Sequence, residues 1–284
     1  MKIYTLFAMA SMVFITTVGA QTVNETFNLP LPIRPAKVQC IKVLDDGKLL
    51  LGGDIEFVET RRVNNLIRLN SDNTIDTTFN FTGNKELLII KIEVLTNGDI
   101  IVLSHGFKSY INQLKPNSSL FRLGPDGEIK YEIDTLMNPS SIAIQNDNKI
   151  LVCGGNESAS PPAFLYRLNS DFTPDSTFNN NISFDHMVTD VKVDNNKLIV
   201  SGMFSTVNDT IKNDIVRLNM DGTIDTTFDT GTGTNDCIRT LSVQSDGKIL
   251  IGNSFINSFN GKLFHGMARL NPDGSVDNGF TPPL

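Results

Sequence analysis

Short apolar runs alternate with polar turn residues along the chain, and the same pattern recurs five times. In the last copy, Ile238, Leu241 and Val243 lead into the polar residues 244–248, and an apolar run follows at 249–251. A three-residue loop that ends in glycine fits a type I turn followed by a left-handed residue, which joins antiparallel strands. The pattern therefore predicts a β-hairpin with Val243 opposite Ile249, and no helical periodicity appears after the first residues.

A second hairpin follows in each copy. Residues 267–271 lead into Pro272-Asp273-Gly274 and then 275–280, so Arg269 faces Asp277 across the two strands. An opposed charge pair directly across two strands contributes about 0.2–1 kcal/mol. We expect structural ion pairs at this position. The same register pairs Arg68 with Asp76, Arg167 with Asp175, and Arg217 with Asp225.

The second copy departs from this rule. Its register sets Arg122 opposite Lys130, and residues 131–133 replace the usual Thr-Thr-Phe. Like charges directly opposite each other destabilise a strand pair. We expect either that this copy is the weakest or that Glu128 and Glu132 supply the counter-charge.

The spacing of the copies indicates the fold. The third residue of the first turn falls at 47, 98, 148, 196 and 247, a period of roughly 50 residues. One such unit cannot bury its apolar face alone, so the copies stack. We predict an all-β protein, a five-bladed β-propeller of four-stranded repeats. The repeats span about 38–80, 91–134, 141–180, 190–230 and 238–280, and variable loops between the second and third strands cover 56–65, 108–119, 157–162, 205–213 and 256–266.

The repeated residues resemble a known family. The run Asp-Gly-Lys-Ile-Leu-Ile-Gly at 246–252, followed by Arg-Leu-Asn-x-Asp-Gly-x-x-Asp-x-x-Phe, is similar to the delta-60 repeat of secreted bacterial proteins. The resemblance covers nearly all of residues 22–284; it is specific in copies one, four and five, looser in three and weak in two. It implies a propeller, an exported bacterial protein, and no catalytic residues to carry over.

The N-terminus predicts export. Lys2 precedes an apolar run over 4–18, and small residues at Val18 and Ala20 suit signal peptidase. We interpret residues 1–20 as a cleaved signal peptide, with a membrane anchor as the alternative, and 21–284 as a single propeller domain. Since no later stretch is long and apolar enough to cross a bilayer, we expect no transmembrane segment after cleavage and a location outside the cell or in the periplasm or cell envelope.

Residues 22–28 match residues 74–80, so the chain carries an extra copy of the fourth strand before the first repeat. A closed ring of blades needs its ends joined. We expect this segment to close the ring by pairing with the last blade near 275–281.

The net charge limits the class of partner, and the number of cysteines bears on disulfide formation. The formal net charge is −7, and removal of Lys2 with the signal makes it more negative. Nucleic acids and anionic membranes select basic patches, so neither is expected as a partner. Cys40, Cys153 and Cys237 are odd in number and differ in repeat position, which favours small buried thiols over a disulfide framework. We expect a monomer.

Catalytic and metal-binding signals are sparse. His105, His186 and His265 lack ligand spacing, and no Gly-x-Ser-x-Gly elbow occurs. The segment at 219–225 offers clustered oxygens for calcium, but it lacks the EF-hand pattern and its residues suit a turn. Among the carboxylates with no assigned turn or ion-pair role, the best catalytic candidates are Asp54 and Glu56, just after a second strand, and Asp236, before a first strand.

The sequence therefore predicts no cofactor, metal, catalytic residue or assigned ligand site. A rigid ring with variable loops suits an exported non-catalytic module that binds a protein or a glycan. Two alternatives remain open. One is a carbohydrate-active enzyme, a glycoside hydrolase or lyase with its site in the central funnel. The other is a purely architectural envelope protein.

Overall fold

The fold is seen in a computed structural model that describes residues 37–58, 61–83, 87–106, 118–136, 138–155, 163–253, 258–264 and 266–281. The predicted signal peptide at 1–20 and the predicted closing strand at 22–28 lie outside these residues. The chain divides into two compact units, Met1–Leu136 and Met137–Leu284. No helix in the described ranges has the length and hydrophobicity needed to cross a membrane.

The first unit is built from antiparallel strands. Its sheets have the orders β1-β2-β5 and β6-β7-β8-β9, and β3 pairs with β4 as a small hairpin. The strands are β1 (Lys37–Val43), β2 (Leu49–Asp54), β3 (Phe57–Val58), β4 (Arg61–Arg62), β5 (Leu66–Leu69), β6 (Leu87–Val94), β7 (Ile100–Gly106), β8 (Ser118–Leu123) and β9 (Ile129–Leu136).

The second unit repeats this plan. Its strands and one short helix are β10 (Pro139–Ile144), β11 (Ile150–Gly154), β12 (Phe164–Leu168), α1 (Ser176–Asn179), β13 (Val188–Asp194), β14 (Lys197–Gly202), β15 (Thr206–Val207), β16 (Thr210–Ile211), β17 (Ile215–Asn219), β18 (Thr240–Val243), β19 (Ile249–Gly252), β20 (Ser258–Phe259), β21 (Lys262–Leu263) and β22 (Met267–Leu270). The three-stranded sheets are β10-β11-β12, β13-β14-β17 and β18-β19-β22, and the small hairpins are β15-β16 and β20-β21. The architecture is thus all-β and propeller-like.

The first turn of each copy forms as the sequence predicts. Val243 pairs with Ile249, and Gly247 has the left-handed φ of 78° that the three-residue loop requires. In the fourth copy, one residue shorter, Asn195 and Asn196 both have positive φ, at 42° and 59°. Two such residues form the two-residue hairpin turn that Asn tolerates.

The fourth strand differs from the prediction. A regular fourth strand, β9, forms in the second copy; elsewhere a single bridge, such as Leu218 to Ile224, takes its place. The next residue explains the difference: Asp225 accepts hydrogen bonds at Oδ1 from the Thr227 amide (3.0 Å) and hydroxyl (2.7 Å), which turns the chain out of the ladder. Residues 131–133 lack that turn, so β9 continues for eight residues.

The predicted ion pairs are present. The Nε to Oδ2 distances are 2.9 Å for Arg68–Asp76, 2.9 Å for Arg167–Asp175, 2.8 Å for Arg217–Asp225 and 2.7 Å for Arg269–Asp277. The Arg68 and Arg167 side chains are only 8% exposed, so the guanidinium groups lie inside the structure. These pairs are structural.

Each pair belongs to a larger cluster. Around Asp225, Lys197 Nζ lies 3.1 Å from Oδ2, and the Arg217 guanidinium lies 4.9 Å above the Phe228 ring. Arg217 also donates through NH1 to the Pro272 carbonyl in the next sheet, at 2.5 Å. The Thr227 hydroxyl, together with the Thr227 amide, Lys197 and Arg217, holds the Asp225 pKa far below its usual value despite burial.

The second copy keeps this cluster with its charges exchanged. Arg122 Nε and Lys130 Nζ both bind Asp99, at 2.8 and 2.7 Å. Asp99, which stands where the other copies have a lysine, supplies the counter-charge, whereas the expectation had named Glu128 and Glu132. Asp99 is 2% exposed. The ladder also places Arg122 opposite Tyr131, beside an irregularity, and not opposite Lys130.

Apolar side chains between neighbouring sheets form the cores. Phe79, Phe81 and Phe121 share one cluster in the first unit, and Phe178 and Phe204 share another in the second. Asp190 is 2% exposed and joins three sheets of the second unit. Its Oδ1 accepts from the Ser141 hydroxyl (2.7 Å), and its Oδ2 accepts from the Leu241 amide (3.1 Å).

The charge exchange gives a direct test. Asp99→Lys places three cations together, and we expect it to lower the free energy of unfolding by about 2–4 kcal/mol. Adding Lys130→Asp recreates the Lys-Arg-Asp arrangement of the other copies and should recover most of that loss. Urea unfolding of the wild type, both single variants and the double variant measures the coupling. A double variant as unstable as Asp99→Lys would contradict the exchange.

Candidate functional site

Loops and small hairpins gather at one end of two neighbouring sheets in the second unit. Residues 181–187 precede β13, and residues 229–237 precede β18. Isolated bridges join these loops to the hairpins: Phe184 pairs with Val207, and Thr234 pairs with Phe259. We call the residues 181–187, 204–214, 229–237 and 258–264 the loop face.

Side-chain amides and carboxylates fasten the first hairpin of the loop face. Asp185 Oδ1 accepts from the backbone amides of Ser205 and Thr206, each at 2.9 Å. Asn208, at the hairpin tip, accepts from the Ser183 amide at 2.8 Å and donates to the Asn181 carbonyl at 3.0 Å. These bonds hold the loop and the hairpin together before any ligand arrives.

The next sheet repeats this arrangement with different residues. Asn235 Oδ1 accepts from the Ser258 amide at 2.7 Å, as Asp185 does for its hairpin. Asn260 Oδ1 accepts from the Thr232 amide at 3.3 Å and the Thr232 hydroxyl at 3.1 Å. The loop face is therefore a repeated and preformed surface.

Both hairpins present an aliphatic side chain to solvent. Ile211 is 76% exposed and Leu263 is 83% exposed. They occupy the same register position, since Ile211 pairs with Thr206 and Leu263 pairs with Ser258. Exposed apolar side chains can supply contact area to a partner.

A carboxyl group with a raised pKa lies between the two sheets. Asp214 has a left-handed φ of 64° just before β17, and its Oδ2 accepts from the Thr234 hydroxyl at 2.7 Å. Burial raises the pKa of Asp214 to about 6, opposed by hydrogen bonds from Thr234 and assisted by the nearby Asp236 carboxylate. Carboxyl groups of this kind are candidates for functional roles.

Of the three candidate carboxylates chosen from the sequence, Asp236 is the one that lies at this site. Asp54 is exposed at the end of β2 in the first unit. Glu56 lies 3.7 Å from Arg62 in a surface ion pair. Asp214 was missed by the sequence analysis, although it occupies the place of Asn65 in an otherwise similar run before Arg-Leu-Asn.

The histidines and cysteines lie in different parts of the fold. His105 lies in β7, His186 lies in the loop before β13, and His265 lies outside the described residues. The cysteines are free and buried, as expected. Burial raises the thiol pKa to about 12 for Cys40 and about 11 for Cys237, so both are thiols and not thiolates.

The aspartates considered for calcium serve the turns. Asp221 Oδ1 accepts from the Thr223 amide at 3.0 Å and the Thr223 hydroxyl at 2.7 Å, and Asp225 binds Arg217. Within the described part of the chain, no group of three or more His, Cys, Asp or Glu residues is placed to hold a metal ion.

Comparison with known proteins supports the repeat architecture. The family described as "Domain of unknown function (DUF5122) beta-propeller" matches residues 44–79, 145–178, 194–228 and 244–280, which together make half of the chain. A search of curated proteins found no significant match.

Solved structures show a similar fold. A luciferin-regenerating enzyme aligns at a TM-score of 0.52 with 12% identity, over 83% of this chain and 78% of that one. Regucalcin, a calcium-binding protein from Agrobacterium tumefaciens, aligns at 0.50 with 12% identity, over 77% and 68%. A protein of unknown function from Bacteroides caccae aligns at 0.47 with 14% identity, over 85% and 80%. At these identities the first two alignments support the fold alone.

The fastening of the loop face predicts a local effect. Asp185→Ala removes the carboxylate that accepts hydrogen bonds from the Ser205 and Thr206 amides. We expect hydrogen exchange at these two amides to rise about tenfold and the free energy of unfolding to fall by about 1 kcal/mol. Ile211→Ala, on the exposed side of the same hairpin, is the control and should leave both values near wild type. Unchanged exchange in Asp185→Ala would show that the carboxylate does not hold the hairpin.

Proposed function

The chain belongs to the DUF5122 beta-propeller family, and we propose that it is an exported, non-catalytic module that binds a protein or glycan through the loop face. The observation that carries the proposal is the repeated pair of fastened hairpins with exposed aliphatic side chains. Ile211 and Leu263 stand on rigid supports, so little conformational entropy is lost when a partner covers them.

The polar part of the loop face supports this proposal. Asn208 and Asn260 sit at the hairpin tips, and the threonines and serines near them add hydroxyl groups. Mixed amide, hydroxyl and aliphatic surfaces suit both protein and glycan partners. The acidic net charge of −7 argues against nucleic acid and anionic membranes as the partner.

The binding test uses purified protein on a broad glycan array and in pull-downs from envelope extract, with calcium and with chelator. Ile211→Asp combined with Leu263→Asp should abolish binding without changing the unfolding midpoint. Val43→Asp is the matched control, because Val43 is 55% exposed on β1 and is not one of the loop-face residues. Binding that survives in the double variant would exclude the loop face as the site.

The same preparation separates binding from catalysis. An enzyme acting on carbohydrate would release reducing ends or unsaturated products from the glycans that it binds. The Asp214 carboxyl, with its raised pKa, would then be the first residue to test, since a general acid needs a pKa near the working pH. Binding without product release supports the module, and product release abolished by Asp214→Asn would replace it.

We further propose that the chain forms a closed five-bladed propeller of delta-60 repeats, with residues 22–28 as the closing strand after signal cleavage at 20. The support is the similarity between 22–28 and 74–80 and the period of roughly 50 residues. Deleting 22–28 should lower the melting temperature, whereas replacing the same segment by the sequence of 74–80 should not. Equal melting temperatures for deletion and wild type would rule out a closing role.

A further inference from the structure

The Thr234 hydroxyl lies between two oxygen atoms. It is 2.7 Å from Asp214 Oδ2, and it also bonds the backbone carbonyl of Asp236. A hydroxyl group has one proton to donate and can accept in addition. A carbonyl oxygen can only accept, so the Thr234 hydroxyl must use its one proton to bond the Asp236 carbonyl. The hydrogen bond between Thr234 and Asp214 then needs a proton from the Asp214 carboxyl group.

Proton counting therefore favours a chain of two hydrogen bonds. In it, the protonated carboxyl of Asp214 donates to Thr234 Oγ, and Thr234 donates to the Asp236 carbonyl. If Asp214 is ionised, the Thr234 hydroxyl can serve only one of its two neighbours. The Thr234 backbone amide can still donate to an ionised Asp214. The acceptor that loses its partner when the hydroxyl turns to Asp214 is therefore the Asp236 carbonyl, which costs free energy.

In the first copy, the position equivalent to Asp214 is Asn65, whose side-chain amide is a hydrogen-bond donor at every pH. Asn65 has a φ of 66°, close to that of Asp214. Its side-chain amide donates to the Leu87 carbonyl at 2.7 Å, and its Oδ1 accepts from the Ile55 amide at 2.8 Å. Leu87 is the first residue of β6. It lies eleven residues before the turn glycine Gly98, as Asp236 lies eleven residues before Gly247. A protonated Asp214 thus reproduces the donor that Asn65 always carries.

Backbone hydrogen bonds hold Asp214 in place, and the loop that carries Thr234 packs closely against the residue before it. The Asp214 amide donates to the Phe204 carbonyl, and the Asp214 carbonyl accepts from Gly202, each at 2.9 Å. On the loop, a Cβ added at Gly233 would lie 2.7 Å from Asn213 Cβ, so the loop runs directly against the strand. The loop therefore packs tightly against the residues just before β17.

We propose that Asp214 and Thr234 form a proton-operated latch that fastens residues 229–237 to the start of β17 and loosens when Asp214 loses its proton. The latch links two sheets of the second unit and includes part of the loop face. It stands independently of the proposed binding function, because the loop would respond to pH with no ligand present.

The nearest charged group also favours the protonated form of Asp214. Asp236, on the loop, is the carboxylate that faces Asp214, and its repulsion favours the protonated form. Cys237 stays neutral, and Arg239 acts on that thiol. Phe204 and Gly202 contribute backbone groups from β14 and its end, Phe259 contributes an apolar ring from the hairpin, and Lys212 on the approach to β17 has an amide that bonds Ser205.

The sign of the pH dependence follows from the raised pKa. The Asp214 pKa is about 6 in the folded chain against an ordinary value of 3.8, so the folded state binds the extra proton between these values. Stability from this group is therefore greatest at low pH and is lost as pH rises through about 6. This direction is opposite to that of the ion-paired aspartates such as Asp225.

The test compares wild type with Asp214→Asn, which supplies the donor found at Asn65. Between pH 5 and pH 8, amide exchange at 232–236, corrected for its intrinsic pH dependence, should rise about tenfold in wild type and stay level in the variant. Asp236→Asn is the control; it should keep the transition and lower its midpoint.

A second measurement keeps the proposal open to refutation if Asp214→Asn fails to fold. Carboxyl carbon shifts of the wild-type chain, followed by NMR, should show Asp214 titrating near pH 6 together with the Thr234 amide shift. Titration near the ordinary value of 3.8, or equal exchange profiles for wild type and Asp214→Asn, would overturn the latch.

Discussion

One carboxylate in each repeat organises the structure around it. In the fourth copy, Asp225 binds Arg217, Lys197 and the Thr227 hydroxyl at once, and Arg217 continues to the Pro272 carbonyl of the next sheet. The same carboxylate ends the ladder and turns the chain so that Phe228 packs below the guanidinium. Turn, ladder end, core aromatic and contact between sheets thus depend on one side chain, and removal of that carboxylate would leave Arg217 and Lys197 without their shared counter-ion.

The two ends of the sheets that carry the loop face are therefore held by different interactions. The ends of the sheets that carry the glycine and asparagine turns are fixed by the ion clusters, and their residues are committed to the fold. The loop face lies away from these clusters and is held by a different device, the side chains of Asp185, Asn208 and Asn260. The buried rings of Phe204 and Phe259 anchor the loop face in the cores. We expect that the exposed positions beside these hydrogen bonds can change without loss of the fold. This separation is what a binding surface needs.

Much of the fold could be predicted from the sequence because the relevant physics is local. Turn chemistry sets the hairpin register, and register places Arg217 opposite Asp225, so the ion pairs follow from the residues alone. The partner of Lys130 could not be found in this way, since Asp99 lies 31 residues away, just before β7. The extent of the fourth strand was also overestimated, because an aspartate that pairs across strands can end the ladder by binding its own following residues. At the candidate site, Asp236 was among the carboxylates considered, but Asp214 gains its raised pKa from a loop that only folding brings against it.

The exchanged charges of the second copy bear on how the repeats can evolve. Any single replacement that moves Asp99 or Lys130 toward the residues of the other copies leaves like charges crowded around Arg122. We expect such a single replacement to destabilise the repeat, so the two charges are expected to change together. The exchanged charges thus distinguish the second copy from the other four, because its residues at 99 and 130 fit only each other.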